Sequence, residues 1–371
     1  MTADRRPQTA DRRPTFCTLM SIKNEHLTKD VGLIPYGMYQ FAGYDAFMAT
    51  YENGDYPNLK YTPGLRLEFI PKISGDWIQD SCSWLKDNAH RIDVLNLYHL
   101  CPRSYSHIRT YKRANKNGKV YLKLDGAPLP RRFKLWKNIK SYAQLFRSRL
   151  VSTEFQDNAE LLTRRWHRRI VCVPNPINPN ELSDFRPFSE RSSTILTVGR
   201  LGTKQKATEI LLEAFARIAH SLPTWTLKLA GRIEENMNIA DDFYSAHPEL
   251  RERVIFLGDV RDRKAIAEMY RDAKIFAFPS RWEGCSIALA EALANGLLAV
   301  TSNISPNELM TEHFKYALGS DVDDIDGLAK NLLYACTNEA ESEAMAREGM
   351  KAALERCDLR RCCKVFAEGL K

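Results

Sequence analysis

Residues 275–291 read Ile275-Phe276-Ala277-Phe278-Pro279-Ser280-Arg281-Trp282-Glu283-Gly284-Cys285-Ser286-Ile287-Ala288-Leu289-Ala290-Glu291. Four apolar residues open the stretch and Pro279 closes them, because proline brings no N–H to a central ladder. A polar loop with Gly284 follows. From Ser286 to Asn295 the pattern turns helical, and Gly296 is a helix stop. Strand, short loop and helix form the repeating unit of a parallel α/β sheet. Ligands of such sheets gather beyond the carboxyl ends of the strands, where the loop 279–286 falls. Glu283 and Glu291 lie eight residues apart. On one continuous helix that is roughly 12 Å along the axis, a span for a ligand with hydroxyls at both ends and a diphosphate between. Carboxylates accept hydrogen bonds from hydroxyls. The amides of Cys285, Ser286 and Ile287 face an anion at the helix start. The plainer alternative is one loop acid and one solvated helix glutamate.

The alternation continues on both sides. Strands are expected at 195–198, 226–229, 254–257, 275–278, 298–301 and 316–318, with helices over 207–221, 263–272, 286–295 and 324–336. The first of these strands runs into Gly199-Arg200-Leu201-Gly202. Gly199 lets a phosphate approach the backbone, and Arg200 and Lys206 supply charge, though Gly-Arg after a strand is also an ordinary turn. In the other half, strands are expected at 16–22, 46–51, 66–70, 94–97, 120–124, 150–152 and 170–173, with helices over 31–41, 104–114 and 133–146. Between the halves, Pro174, Pro176 and Pro179 stop regular structure. The fold class is α/β. The expected organisation is a disordered tail over 1–14, which repeats Thr-Ala-Asp-Arg-Arg-Pro, then βα domains over 15–180 and 190–355, and a last helix over 356–371.

Composition narrows the function classes. The chain has 371 residues and a net charge of +8. The charge is uneven: residues 1–180 carry +13 and residues 181–371 carry −5. Within 101–150, 14 basic residues face one acid, Asp125. Such a block fits an anionic partner, a membrane surface or a solvated face. No run of about 18 apolar residues occurs, so no membrane-spanning helix is expected. The polar N-terminus reads as no secretory signal. Nine cysteines without a C-x-x-C pair read as reduced thiols of a cytoplasmic protein.

Taken in order, several of these pieces resemble one family. Ile195-Leu196-Thr197-Val198-Gly199-Arg200-Leu201, the helix from Lys206 to Phe215, the strands ending at Gly231 and Gly258, Phe278-Pro279-Ser280 and the E-x7-E of Glu283 and Glu291 are similar to the donor half of family-four retaining glycosyltransferases. The resemblance covers residues 194–355. It implies the GT-B fold, two Rossmann-like βαβ domains facing each other across a cleft. It also implies transfer of a sugar from a UDP- or GDP-sugar to a saccharide or lipid-linked acceptor, with retention and without a metal cofactor. Arg200 and Lys206 match the cations that neutralise the donor diphosphate. Glu283 matches the carboxylate on the donor sugar, and Glu291 the one on the ribose. Gly199, Gly284, Cys285, Ser286 and Ile287 complete the donor side, with the base near Arg232 and Val260. Asp321-Val322-Asp323 reads D-x-D, but its place before a helix makes these helix-start acids. A GT-B epimerase and a non-catalytic sugar-nucleotide-binding scaffold are the alternatives. The E-x7-E spacing argues against the first, and intact Arg200, Lys206, Glu283 and Glu291 against the second.

The first half matches less closely. Residues 23–37 stand where the family has a glycine-rich loop, without its Gly-Gly pair. Asp125 stands where many relatives place a histidine facing the donor sugar. His99, after the strand 94–97, reads as catalytic, as acceptor-binding or as a hydrogen-bonded histidine, and His26 is equally open. Apolar residues at 133, 136, 139, 143 and 146 with lysines around them fit core packing or an anionic membrane surface. Related enzymes act at the inner leaflet, which makes the inner face of the plasma membrane a candidate location and cell-surface polysaccharide or glycolipid assembly the expected pathway. No nucleic-acid module occurs, and nucleic acid is not expected as a partner.

Overall fold

A computed structural model describes residues 12–124, 138–182, 184–235 and 237–371. The tail expected over 1–14 lies outside them as far as residue 11, as do Asp125, Phe133 and Trp136. The chain divides into two compact units. The first comprises the residues up to Pro176 together with Leu359–Lys371; the second is Ile177–Asp358.

The first unit holds a parallel sheet of β1 (Thr15–Leu19), β2 (Asp45–Thr50), β3 (Arg66–Phe69), β4 (Val94–Tyr98), β5 (Lys119–Lys123), β6 (Leu150–Thr153) and β7 (Val171–Cys172). Its spatial order is β3-β2-β1-β4-β5-β6-β7. Helices α1 (Asp30–Phe41), α2 (Trp77–Asn88), α3 (Pro102–Ala114), α4 (Ile139–Arg147) and α5 (Gln156–Trp166) connect the strands. Alternation along each strand sorts side chains onto two faces. Phe16, Met48, Tyr98 and Tyr121 meet α1 and the chain's last helix, Leu359–Leu370. Cys17, Phe47, Leu95, Leu97 and Leu122 meet α2, α3 and α5. Both layers are dry, as an all-parallel sheet requires.

The second unit repeats the plan with β8 (Ser192–Val198), β9 (Thr226–Ala230), β10 (Val254–Gly258), β11 (Ala273–Phe278), β12 (Leu298–Ser302) and β13 (Ala317–Ser320), in the order β10-β9-β8-β11-β12-β13. Its helices are α6 (Thr208–Ile218), α7 (Ile239–Ala246), α8 (Arg263–Asp272), α9 (Ile287–Ala294), α10 (Ser305–Met310), α11 (Ile325–Thr337) and α12 (Glu339–Cys357). The last helix of the chain is α13. Strand order reverses between β8 and β11 in this unit and between β1 and β4 in the first. Each reversal opens a crevice at the carboxyl ends of the strands.

Several expected boundaries move. The strand expected over 16–22 stops at Leu19, and a 3-10 turn at Asn24–His26 follows. The helix expected from 207 begins at Thr208 and ends at Ile218, before a 3-10 turn over Ala219–Ser221. α9 begins only at Ile287. Glu283 is therefore in the loop, and the helical spacing of 12 Å between it and Glu291 does not apply. The boundary between units falls at Pro176, because Ile177 already pairs with Asp358. Residues 356–357, expected in the last helix, finish α12 instead.

Candidate active site

The loop after β8 is shaped by its neighbours. Gly199 N–H donates to Ala230 O at 3.0 Å, and Leu201 N–H to Arg232 O at 2.9 Å. Gly231 sits at φ +151°, and a Cβ there would lie 1.7 Å from Gly199 O. Only glycine permits that approach. The chain then turns at Thr203, where Lys206 N–H donates to Thr203 O at 3.0 Å. Ala207, with a left-handed φ of 49°, starts α6. A non-glycine residue in that region stores strain, which recurs at functional sites. The turn folds Lys206 back along Gly199 and over the Phe278 ring, 4.5 Å from its centre. Val198, Gly199, Arg200, Lys206 and Phe278 line a small cavity there.

The loop after β11 supplies the counter-charge. Lys206 Nζ donates to Glu283 Oε1 at 2.7 Å, with side-chain exposures of 17% and 8%. Arg281 ties the two loops together. Its backbone N–H donates to Gln205 O at 2.8 Å, and its guanidinium reaches Lys204 O, Glu209 and Asp323 at 2.6–2.7 Å. Gln205 Nε2 donates to Trp282 O at 3.0 Å, and its Oε1 accepts from the exposed Arg200 at 3.0 Å. Gly284 and Cys285 continue the loop. Ser286 caps α9, its Oγ accepting from Leu289 N–H at 3.3 Å. Ile287 is the first helical residue. The helix-start reading of Asp321 and Asp323 is corrected here, since α11 begins at Ile325. Asp323 accepts from Arg281 at 2.6 Å, while the helix cap is Asp324, which accepts from Gly327 N–H at 2.8 Å.

Glu291 lies on the second turn of α9 and is buried. Its carboxylate bonds Arg263, the first residue of α8, which also bonds Glu181. Burial pushes the Glu291 carboxyl above its ordinary value; Arg263 pulls it down and Glu181 pushes it up again. Arg263 itself is held above its ordinary value: burial works against its charge, and Glu291 and Glu181 outweigh burial. Arg232 follows β9, which pairs with β8, and Val260 follows β10, one strand further out. Arg232 pairs with Glu235, and Val260 N–H turns back to Gly258 O at 3.0 Å.

In the first unit, the carboxyl ends of β1 and β4 carry the two histidines. His26 Nδ1 accepts from Lys23 N–H at 2.8 Å, closing its own turn. Burial, then Lys29, holds His26 below its ordinary value. His99 has a left-handed φ of 64°, and its N–H donates to Lys123 O at 2.8 Å. Asp125 lies outside the described residues. Beneath this end of the sheet, fully buried Lys123 meets Glu154 at 2.5 Å and Asp30 at 3.2 Å. Sequence reading passed over this cluster and the Glu181–Arg263 pair. One signal was present for Arg263: a cation at the first position of a helix opposes the macrodipole and calls for a carboxylate.

With this geometry in view, residues 192–338 match the family model described as Glycosyl transferases group 1. The second unit is therefore similar to the glycosyl transferases group 1 family over these residues. An uncharacterized glycosyltransferase of Haemophilus influenzae is 29% identical over 157 residues, 42% of this chain and 43% of that protein. The UDP-Gal:alpha-D-GlcNAc-diphosphoundecaprenol alpha-1,3-galactosyltransferase of Escherichia coli is 28% identical over 228 residues, 57% of each chain. The chain thus spans less than two thirds of the length of the curated relatives it matches. Among solved structures, a glycosyltransferase from Rickettsia africae ESF-5 aligns with a TM-score of 0.76 at 13% identity, over 97% of this chain and 98% of that one. Anabaena HepE in complex with UDP and glucose aligns with a TM-score of 0.71 at 15% identity, over 96% and 99%. The fold is GT-B.

Proposed function

We propose that this chain is a retaining glycosyltransferase that moves a sugar from a UDP- or GDP-sugar to a saccharide or lipid-linked acceptor. The observation that carries this reading is the Lys206–Glu283 pair, 2.7 Å apart where the strand order reverses. A cation and a carboxylate held together there match the two ends of a sugar diphosphate. Lys206 and Arg200 take the diphosphate, and Glu283 takes the sugar hydroxyls. The donor half of the reading is supported by HepE, whose structure holds UDP and glucose. A lipid-linked acceptor is supported by the name of the Escherichia coli relative.

The chemistry follows from where charge develops. As the bond from the anomeric carbon to the phosphate oxygen breaks, its electron pair goes to the diphosphate and the sugar becomes oxocarbenium-like. Lys206, Arg200 and the amides at the start of α9 stabilise that growing negative charge. The acceptor oxygen bonds to the anomeric carbon on the face the phosphate leaves, and its proton passes to the departing phosphate oxygen. The configuration is retained and no protein nucleophile is used. The reading gives a metal no role, because fixed cations do that work.

A peripheral position on an anionic membrane belongs to the same reading. On α4, Ile139 is 72% and Phe146 58% exposed, and exposed Lys140 and Arg147 stand beside them. Core packing, the alternative for these two positions, does not hold. Apolar and basic side chains on one face suit a membrane surface. No helix among the described residues is long and apolar enough to cross a membrane. The reading places the protein on the cytoplasmic side of the plasma membrane, in polysaccharide or glycolipid assembly.

The test is nucleotide release from UDP- and GDP-sugars with and without candidate acceptors, followed by the anomeric configuration of the product. Acceptor-dependent release, retained configuration and indifference to EDTA are expected. Saturable donor binding without release from any donor would instead identify a sugar-nucleotide-binding scaffold.

A further inference from the structure

In the second unit, two buried carboxylates share one guanidinium. Arg263 Nε lies 3.2 and 3.1 Å from the two oxygens of Glu181, and Nη2 bonds both Glu181 and Glu291. The side chains of Arg263, Glu181 and Glu291 are 13%, 9% and 8% exposed. Glu181 grips the Nε edge of the planar fork, which fixes the plane and leaves Nη2 aimed at Glu291.

The charges do not cancel. Two carboxylates against one guanidinium leave one surplus negative charge largely out of water. Such a surplus is unfavourable unless further donors meet it. The Tyr270 hydroxyl, beside Glu291, donates its one proton to Ala288 O at 3.4 Å. A carboxylate has about four acceptor positions, so capacity remains on Glu291 after Arg263. The resemblance implies that Glu291 meets the donor's ribose, and a neutral vicinal diol, which brings two O–H donors and no charge, suits that surplus. A phosphate would add negative charge to a site that already has too much.

We propose that Arg263 and Glu181 are positioning residues that hold Glu291 charged and aimed, making it a receptor for the ribose diol of the donor. This inference rests on the nucleotide-sugar reading above. It assigns the selection for ribose over deoxyribose to a pair of residues outside both donor loops.

The test is a binding titration of the full chain with UDP, GDP and their 2′-deoxy counterparts. The preferred ribonucleotide should bind about tenfold or more tightly than its deoxy form, the scale of a hydrogen bond to a charged group. Arg263→Met should bring that ratio towards one by weakening the ribonucleotide, while deoxynucleotide affinity changes by less than about threefold. Glu181→Gln, a milder change that leaves Arg263 in place, should lower the ratio in the same direction. Arg263→Lys should recover part of it. In turnover, the loss should appear in donor KM and leave kcat little changed. An unchanged ratio in both Arg263→Met and Glu181→Gln, or an equal loss for both sugars, overturns the proposal. A wild-type chain that binds both sugars equally removes the ribose role of Glu291. A wild-type chain that binds no nucleotide overturns the nucleotide-sugar reading and this inference with it.

Discussion

The Lys206 ammonium has Glu283 at 2.7 Å on one side and the Phe278 ring at 4.5 Å on the other. Both partners are mostly buried, so removing either alone strands a charge, at about 3–5 kcal/mol. Stability and activity should therefore part company. Lys206→Met or Glu283→Gln alone should lower both, with turnover down about 10²–10³-fold, as when one charge-stabilising donor is lost. The double variant should regain much of the stability and none of the turnover; chemical denaturation and nucleotide release measure the two. Gly231→Ala should destabilise the second unit by about 2 kcal/mol or more, because its Cβ meets Gly199 O at 1.7 Å. A denaturation midpoint unchanged from wild type would contradict that packing. At this scale the sequence was partly legible. Glu283, Glu291, Arg200 and Lys206 stood out because their spacing within each loop is local. The Lys206–Glu283 and Arg263–Glu181 bonds join residues 77 and 82 positions apart. No local pattern records which distant charge a side chain meets.

Strands were the most legible elements, since each central one is an apolar run bounded by glycine, proline or polar residues. Helices were less so. The buried side of α12 is largely small: Ser342, Ala346, Gly349 and Ala353. Small residues pack closely yet leave a faint hydrophobic period. In α4 the stripe was visible but its direction was not, and Leu145 and Gln144 face inward while Ile139 and Phe146 face out. Substituting Ile139 and Phe146 with serine should weaken cosedimentation with vesicles containing anionic lipid. High salt should do the same to the wild type. Equal sedimentation of variant and wild type would remove α4 from the membrane contact. Between α2 and α3, His107 meets Ser81 Oγ at 2.8 Å, and burial, then Arg103, holds its pKa down to about 3. The folded chain keeps this ring neutral while the unfolded chain protonates it near pH 6.5. The contribution is therefore complete above pH 6.5 and falls as the pH drops towards 3, where both states become protonated. Stability should fall by about 2 kcal/mol between pH 7 and pH 5 from this group alone. In His107→Gln the same interval should be flatter in urea denaturation.

At the scale of the molecule, the alternation of strands and helices revealed two βα units, and the prolines at 174–179 marked the passage between them. The return of the chain was harder to read. The first unit closes only with α13, whose Leu359, Cys362, Cys363, Phe366 and Leu370 are buried. A Cβ at Gly37 would lie 2.4 Å from Cys363 Sγ, so a glycine in α1 lets the two helices touch. Deleting residues 359–371 should cost more than the about 5–15 kcal/mol that holds an ordinary domain together. The shortened chain should be recovered aggregated, with no cooperative transition for its first unit. The discontinuity has a consequence during synthesis. A ribosome adds about 5–20 residues per second, so making residues 177–358 takes on the order of 10–40 s. Throughout that time α1 waits without the helix that covers it. The second unit, continuous in sequence, can fold first, and the nascent first unit leaves the apolar face of α1 uncovered, where a chaperone can bind until α13 emerges.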